Sequence, residues 1–322
     1  MRRILYKIKN KLILLYHRAR YSDGIWRYLN RQARLLHAHY PPQLSGEGRA
    51  VTDSLRNTGI GITHISNFFP SEFFGELQSY AFRRWEDPDV VARFKKREEA
   101  LEGDKLKSKA YFLVDLWEGK PILDLQNPFT RFSLSSHLFD VINAYLGMFS
   151  KFRAWFLQVT IPIPLGSRAF ASQQWHRDPE DKRMVKVFLY LNDVDEGAGP
   201  FTYLKYSHDG GKWRHLFPQE PPRGSPPMPS NVDDFIPKED RVVCTGKAGT
   251  IIFCDTSGLH KGGYVTRNNR IMYTSVYTSS ASLDPIRYLF PTDFSKSSSV
   301  LDPKARFAVT YDPLKVAFRI RE

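Results

Sequence analysis

Cysteine is nearly absent from this chain of 322 residues: Cys244 and Cys254 are the only two. That excludes a disulfide-dense secreted scaffold and leaves too few thiols for a structural zinc cage, so a reducing compartment, the cytoplasm, is expected. Long apolar runs are missing too. The longest near the N-terminus is Leu12 to Tyr16, far short of the ~18 to 20 residues that cross a bilayer. Acidic residues are scarce at one end. Lys and Arg number 47 against 34 Asp and Glu, a net +13, of which +9 falls in residues 1–50, where Asp23 and Glu47 are the only acids. The remainder is nearly balanced at +4. The excess charge therefore belongs to the N-terminus rather than to the body, which argues against a nucleic-acid groove spread over the whole protein.

Within residues 1–20, Ile4, Leu5, Ile8, Leu12, Leu15 and Tyr16 recur at helical spacing among seven basic residues. A basic amphipathic helix is expected, either lying on an anionic membrane surface or docked on the protein's own body, and the periodicity does not choose between them. Lys9 and Lys11 interrupt any signal-peptide core. A second helix is expected from Ser22 or Asp23 to before Pro41, followed by a polar linker over Gln43 to Asn57. Residues 1–58 thus read as a helical extension and linker, 59–278 as the main domain and 279–322 as a C-terminal extension.

The main domain is expected to be mainly β with flanking helices. A strand through Ile65 is followed by a helix after Pro70, capped by Ser71, and a second helix runs from about Leu134 to Tyr145 before Gly147. Beyond residue 150 short strands dominate: Trp155 to Ile163, Gln173 to Asp178, Val185 to Leu191, Phe201 to Tyr206, Thr250 to Cys254 and Arg270 to Thr278. Separated by Gly, Pro, Asn and Asp turns, they point to a double-stranded β-helix core, the jelly roll of cupin-like proteins. Seven prolines between His208 and Arg241 preclude regular structure there, and a connection that long is expected to be a lid near 209–240 or disordered.

His176 and Asp178 are two apart, hence on one face of a strand, and His260 follows the strand Thr250 to Cys254. Two imidazoles and one carboxylate leave three positions open on an octahedral iron, the facial triad of non-haem Fe(II) oxygenases. Arg270 begins the next strand, where a guanidinium fork suits the distal carboxylate of 2-oxoglutarate. Gln158 is a further candidate near the cosubstrate, against satisfaction by neighbouring backbone. Lys186 would assist an anionic group if its face is interior, against a solvated lysine.

On these residues the sequence resembles the phytanoyl-CoA dioxygenase family of Fe(II)/2-oxoglutarate-dependent oxygenases. The run WHRDPEDKRMVKVFLYLNDVDEGAGPFTYLKYSH is similar to the family's His-x-Asp strand, core strand and acidic-glycine turn, and GKAGTIIFCDTSGLHKGGYVTRNNR to its distal-histidine segment. Lys205-Tyr206 departs from the Pro-Gly that many members carry. The resemblance implies that His176, Asp178 and His260 hold Fe(II), that Arg270 binds 2-oxoglutarate, and that O2 is consumed. It implies hydroxylation of a C–H bond in a small-molecule or carrier-linked acyl or glycan substrate, Asp178 arguing against halogenation, in which relatives have a small residue there. A non-catalytic jelly-roll binding protein and a nucleic-acid oxygenase are the competing readings.

Overall fold

The computed structural model describes residues 2–101, 112–117, 119–162, 171–292, 294 and 298–310. The strands are β1 (Ile60–His64), β2 (Leu113–Asp115), β3 (Lys151–Thr160), β4 (Met184–Tyr190), β5 (Phe201–Leu204), β6 (Arg241–Cys244), β7 (Thr250–Cys254), β8 (His260–Lys261) and β9 (Arg270–Thr278). They pair antiparallel in two sheets, a six-stranded one ordered β1-β7-β4-β9-β3-β2 and a three-stranded one ordered β6-β5-β8. A bridge between His176 and His260 adds one more line of backbone to the smaller sheet beside β8. From β3 to β9 the chain winds between the sheets: β3 large, His176 small, β4 large, β5 and β6 small, β7 large, β8 small, β9 large. This winding is the double-stranded β-helix anticipated from the strand pattern.

Side chains alternate across each strand of the large sheet, so its two faces bury different things. Trp155, Leu157 and Val159 of β3, Val185, Val187 and Leu189 of β4, and Ile271, Tyr273 and Tyr277 of β9 face a helical layer. That layer includes α4 (Gly46–Thr58), α5 (Ser71–Trp85), α7 (Pro128–Ser133) and α8 (Ser136–Leu146), whereas α6 (Pro88–Leu101) adjoins β2. The Phe129 ring stacks on Tyr273 at 4.6 Å, and the Tyr277 hydroxyl donates to the Ser133 carbonyl at 2.7 Å. Each fully buried large apolar side chain contributes about 1.5–3 kcal/mol. The other registers, Gln158 and Thr160 of β3, Lys186 and Phe188 of β4, and Arg270, Met272 and Thr274 of β9, turn inward to line a cavity.

Four expectations are corrected. The polar stretch 43–57 is no linker: Ser45 caps α4 by accepting from Gly48 N–H at 3.0 Å, and Gly59 closes it at φ +85. Gly48, Val51, Thr52 and Leu55 form its buried face, small and mixed enough to pass for polar chain. The helix after residue 22 is two, α2 (Asp23–Leu29) and α3 (Arg31–His39), broken at Asn30. The Asn30 side chain donates to Trp26 O at 3.0 Å and accepts from Ala281 N at 3.0 Å, bonds that a continuous exposed helix would not supply. The segment 173–178 is a 3₁₀ turn, Ala171–Gln173, and then one bridge rather than a strand. The insert 209–240, which contains the one-turn α9 (Val232–Phe235), contributes no described residue to the cavity wall. It packs Trp213, Leu216, Phe217, Met228, Val232 and Ile236 with Trp175, Leu204 and Leu259, because those side chains need burial more than the cavity needs a lid.

Among its described side chains, helix α1 (Arg2–Ala19) docks by one face. Ile13 and the following Arg20 are buried, and the Tyr16 hydroxyl donates to Ala281 O at 2.9 Å. Ile8, Leu12 and Leu15 remain exposed. At the other end α10 (Pro303–Val309), capped by Asp302, packs on β3 and α8. Residues 311–322 of the expected C-terminal extension lie outside the described residues.

Candidate metal and anion site

The backbones of His176 and His260 exchange hydrogen bonds of 2.9 and 3.0 Å, bringing their imidazole centroids to 4.2 Å. Asp178 is fixed the same way, its N–H donating to Thr256 O at 2.9 Å. Nε2 of His176 lies 3.8 Å from Oδ1 of Asp178, and Nε2 of His260 lies 3.4 Å from Oδ2. Among the described residues this is the one group of three metal-ligating side chains whose donor atoms all fall within 4.8 Å of one another.

Both imidazoles are held in one tautomer. Nδ1 of His176 meets Gln174 O at 2.8 Å and Nδ1 of His260 meets Gly258 O at 2.9 Å. A carbonyl oxygen only accepts, so each Nδ1 carries a hydrogen and each ring turns its Nε2 toward the site. Burial pushes the His260 imidazole down to about 3, which keeps it neutral. Burial alone would raise the Asp178 carboxyl, but the adjoining Lys186 ammonium holds it well below the carboxylate range. The donor atoms therefore converge, with His260 neutral and Asp178 ionised as a divalent transition metal requires.

Lys186 turns inward from β4, and its ammonium lies 2.6 Å from Asp178 Oδ2 and 3.4 Å from Glu180 Oε1. Burial pushes the Glu180 carboxyl up to about 7 against the pull of Lys186. The solvated alternative for Lys186 is thereby removed, and its partners are the carboxylates of Asp178 and Glu180. Gln158 also faces inward, with its amide NH2 donating to Asp115 Oδ1 at 2.7 Å.

Arg270 is buried at 4% exposure. Its guanidinium donates to Gly199 O and to Thr160 Oγ1, the latter at 3.2 Å, while Nε has no partner. The turn can come this close because Gly199 takes φ +65 where a Cβ would lie 2.6 Å from the Tyr264 carbonyl carbon. Among the described residues no carboxylate pairs with this cation, and burial depresses its pKa. A buried guanidinium without a counter-charge is costly unless an anion completes it.

One cavity of about 650 Å³ joins these groups, running along β9 from Arg270 past His176, Asp178 and His260 to Glu180, Asp284 and Arg287. Phe156, Phe188, Phe201 and Met272 supply apolar wall. Thr160, Glu180 and Asp284 escaped the reading of the sequence. Glu180 was within reach, since it lies two residues beyond Asp178 as Asp178 lies beyond His176; Asp284 carries no local signal.

Arg177, between His176 and Asp178, points away from the cavity. Its guanidinium donates to Ser257 O at 2.7 Å, Phe217 O at 2.9 Å and Leu216 O at 2.9 Å. Gln219 donates to Asp178 O at 2.7 Å. The proline-rich insert thus braces the segment His176 to Asp178 from behind.

No protein-family model and no curated protein sequence matches the chain. Solved structures similar to it include the non-heme alpha-ketoglutarate-dependent epimerase SnoN from nogalamycin biosynthesis, at 14% identity and TM-score 0.48 over 72% of this chain and 80% of that one. EctD from S. alaskensis, solved with 2-oxoglutarate and 5-hydroxyectoine, is similar at 18% identity and TM-score 0.49 over 74% of this chain and 77% of that one. The carbocyclase SnoK, also from nogalamycin biosynthesis, is similar at 16% identity and TM-score 0.44 over 79% and 91%. What the site can do follows from its own side chains.

Proposed function

We propose that the protein is an Fe(II)/2-oxoglutarate-dependent oxygenase that hydroxylates a C–H bond of a small-molecule or carrier-linked acyl or glycan substrate. The observation that supports this reading most is the pairing, in one cavity, of a two-histidine, one-carboxylate donor set with a buried guanidinium that lacks a carboxylate partner. Three protein ligands leave coordination positions for a chelating cosubstrate and for O2.

In this reading His176, Asp178 and His260 hold Fe(II), which when bound with 2-oxoglutarate and O2 supplies the oxidative decarboxylation to succinate and the oxidising power for the C–H bond. The chain's own contribution is placement. The carbonyls of Gln174 and Gly258 fix both imidazoles with Nε2 toward the site. Arg270 receives the distal carboxylate in a dry setting, where charge-assisted hydrogen bonds are strong. The apolar wall of Phe156, Phe188 and Phe201 limits water at the reacting centre.

Anaerobic titration of the purified protein with Fe(II) and 2-oxoglutarate, followed by O2 and quantitation of succinate, tests the reading. Binding and slow substrate-free succinate formation are expected, each weakened in His176→Ala and Arg270→Ala. Absence of metal-dependent 2-oxoglutarate binding in the wild type would overturn it and leave a jelly-roll binding protein.

A further inference from the structure

Among the described side chains of helix α1, one apolar face is covered and another is exposed. Ile13, Tyr16 and the following Arg20 meet the body. Ile8, Leu12 and Leu15, spaced i, i+4, i+7 and so aligned on a different face, are 49%, 57% and 60% exposed. Exposed Lys11 and Arg18 flank them. The next two helices repeat the composition: Ile25, Tyr28 and Leu35 are exposed, at 64% and 70% for the last two, among exposed Arg27, Arg31 and Arg34. The Arg31 guanidinium lies 4.6 Å from the Tyr28 ring centroid. Across residues 1–45 the sole acid is Asp23, and its carboxylate is already paired with Lys182.

From this arrangement we infer that α1 to α3 form a docking face for an anionic phospholipid bilayer. Among the described residues no carboxylate pairs with Lys11, Arg18, Arg27, Arg31 or Arg34; such cations demand a negative partner, while an exposed isoleucine-leucine stripe demands an apolar one, and an anionic lipid interface is both. A nucleic acid answers the cations and leaves the leucines in water, which is why lipid is the better fit. The docked face of the helix also reaches the cavity. The Arg20 guanidinium donates to Pro179 O at 3.3 Å and Glu180 O at 3.1 Å and pairs with Asp181 at 3.2 Å. Pro179 and Glu180 line the cavity, so the lipid-facing helix adjoins the end of the cavity opposite Arg270.

The experiment is co-sedimentation of the full chain with vesicles of phosphatidylcholine alone and of phosphatidylcholine with a third of phosphatidylserine. At least about tenfold stronger binding to the anionic vesicles is expected, weakened by added salt. Leu12→Glu with Leu15→Glu is expected to reduce binding to the phosphatidylcholine background. Because both leucines are exposed, circular dichroism and the melting temperature should not change. Equal binding to both vesicles, no binding to either, or anionic binding that survives the double substitution would overturn the inference. So would tight binding to duplex RNA or DNA unaffected by Leu12→Glu with Leu15→Glu, which would reassign the face. None of these outcomes depends on oxygenase activity, so the inference and the proposed reaction fail separately.

Discussion

Substituting Lys186 by methionine keeps most of the side chain's volume and removes the one cation among the described residues that touches both Asp178 and Glu180. Without a metal ion the variant must bury the Asp178 carboxylate without its ammonium partner, while Glu180, already pushed up to about 7 by burial, takes up a proton. Breaking a buried pair from one side costs about 3–5 kcal/mol, so the metal-free variant should melt roughly 5–10 °C below the wild type. A divalent cation held by His176, Asp178 and His260 supplies the missing positive charge, so the defect should shrink once metal is added. In a thermodynamic cycle, the stability regained equals tighter metal binding: recovery of about 2 kcal/mol corresponds to a roughly 30-fold gain in affinity. Thermal unfolding of both proteins in chelator and across a Mn(II) titration measures every side of the cycle. Lys186→Arg, which keeps the charge, should behave like the wild type. The reasoning is refuted if the metal-free Lys186→Met protein is as stable as the wild type, or if Mn(II) raises its melting temperature by the same amount or less.

Arg270→Met removes at least two charge-assisted hydrogen bonds to a bound carboxylate, about 1.5–3 kcal/mol each, so 2-oxoglutarate affinity of the Mn(II)-loaded protein should fall at least about 100-fold by calorimetry while Mn(II) affinity is retained. Arg20→Ala breaks an ion pair whose side chains are both fully buried and should lower the unfolding free energy in urea by about 3–5 kcal/mol; Lys247→Ala, which removes an exposed pair with Asp193, should leave it unchanged. His17 offers a pH test: burial pushes its imidazole down to about 4 in the folded chain from the ordinary 6.5. The unfolded chain then binds a proton first as pH falls below 6.5, so the docking of α1 should weaken progressively from there to about pH 4. Hydrogen-exchange protection of the α1 amides, taken relative to their intrinsic exchange rates at each pH, should fall over that window in the wild type and much less in His17→Gln; identical profiles would exclude His17 as the cause.

Much of the molecule was legible in its sequence because the relevant physics is local. The strands Thr250 to Cys254 and Arg270 to Thr278 were bounded as the structure bounds them, since apolar β-branched runs between turn residues specify extended chain with little outside help. Gly147, at φ +67, ends its helix where a glycine was expected to. The His-x-Asp spacing, the later histidine and the arginine after it pointed to groups that the structure does bring into one cavity.

The remainder was decided by packing between distant segments. Alternation puts Lys186 and Phe188 on one face of β4, but only the winding of two sheets around a common interior makes that face the inside and sets the ammonium against Asp178. The proline-rich insert could be read as irregular, whereas its place behind Trp175 and Arg177 depends on apolar partners supplied by other strands. Helix α1 advertised an amphipathic pattern from its sequence alone, yet the body covers the face of Ile13, Tyr16 and Arg20 and leaves Ile8, Leu12 and Leu15 bare. Periodicity fixes which side chains share a face, and the tertiary structure determines what each face meets, because burial is a property of two surfaces and the sequence of an element describes one of them.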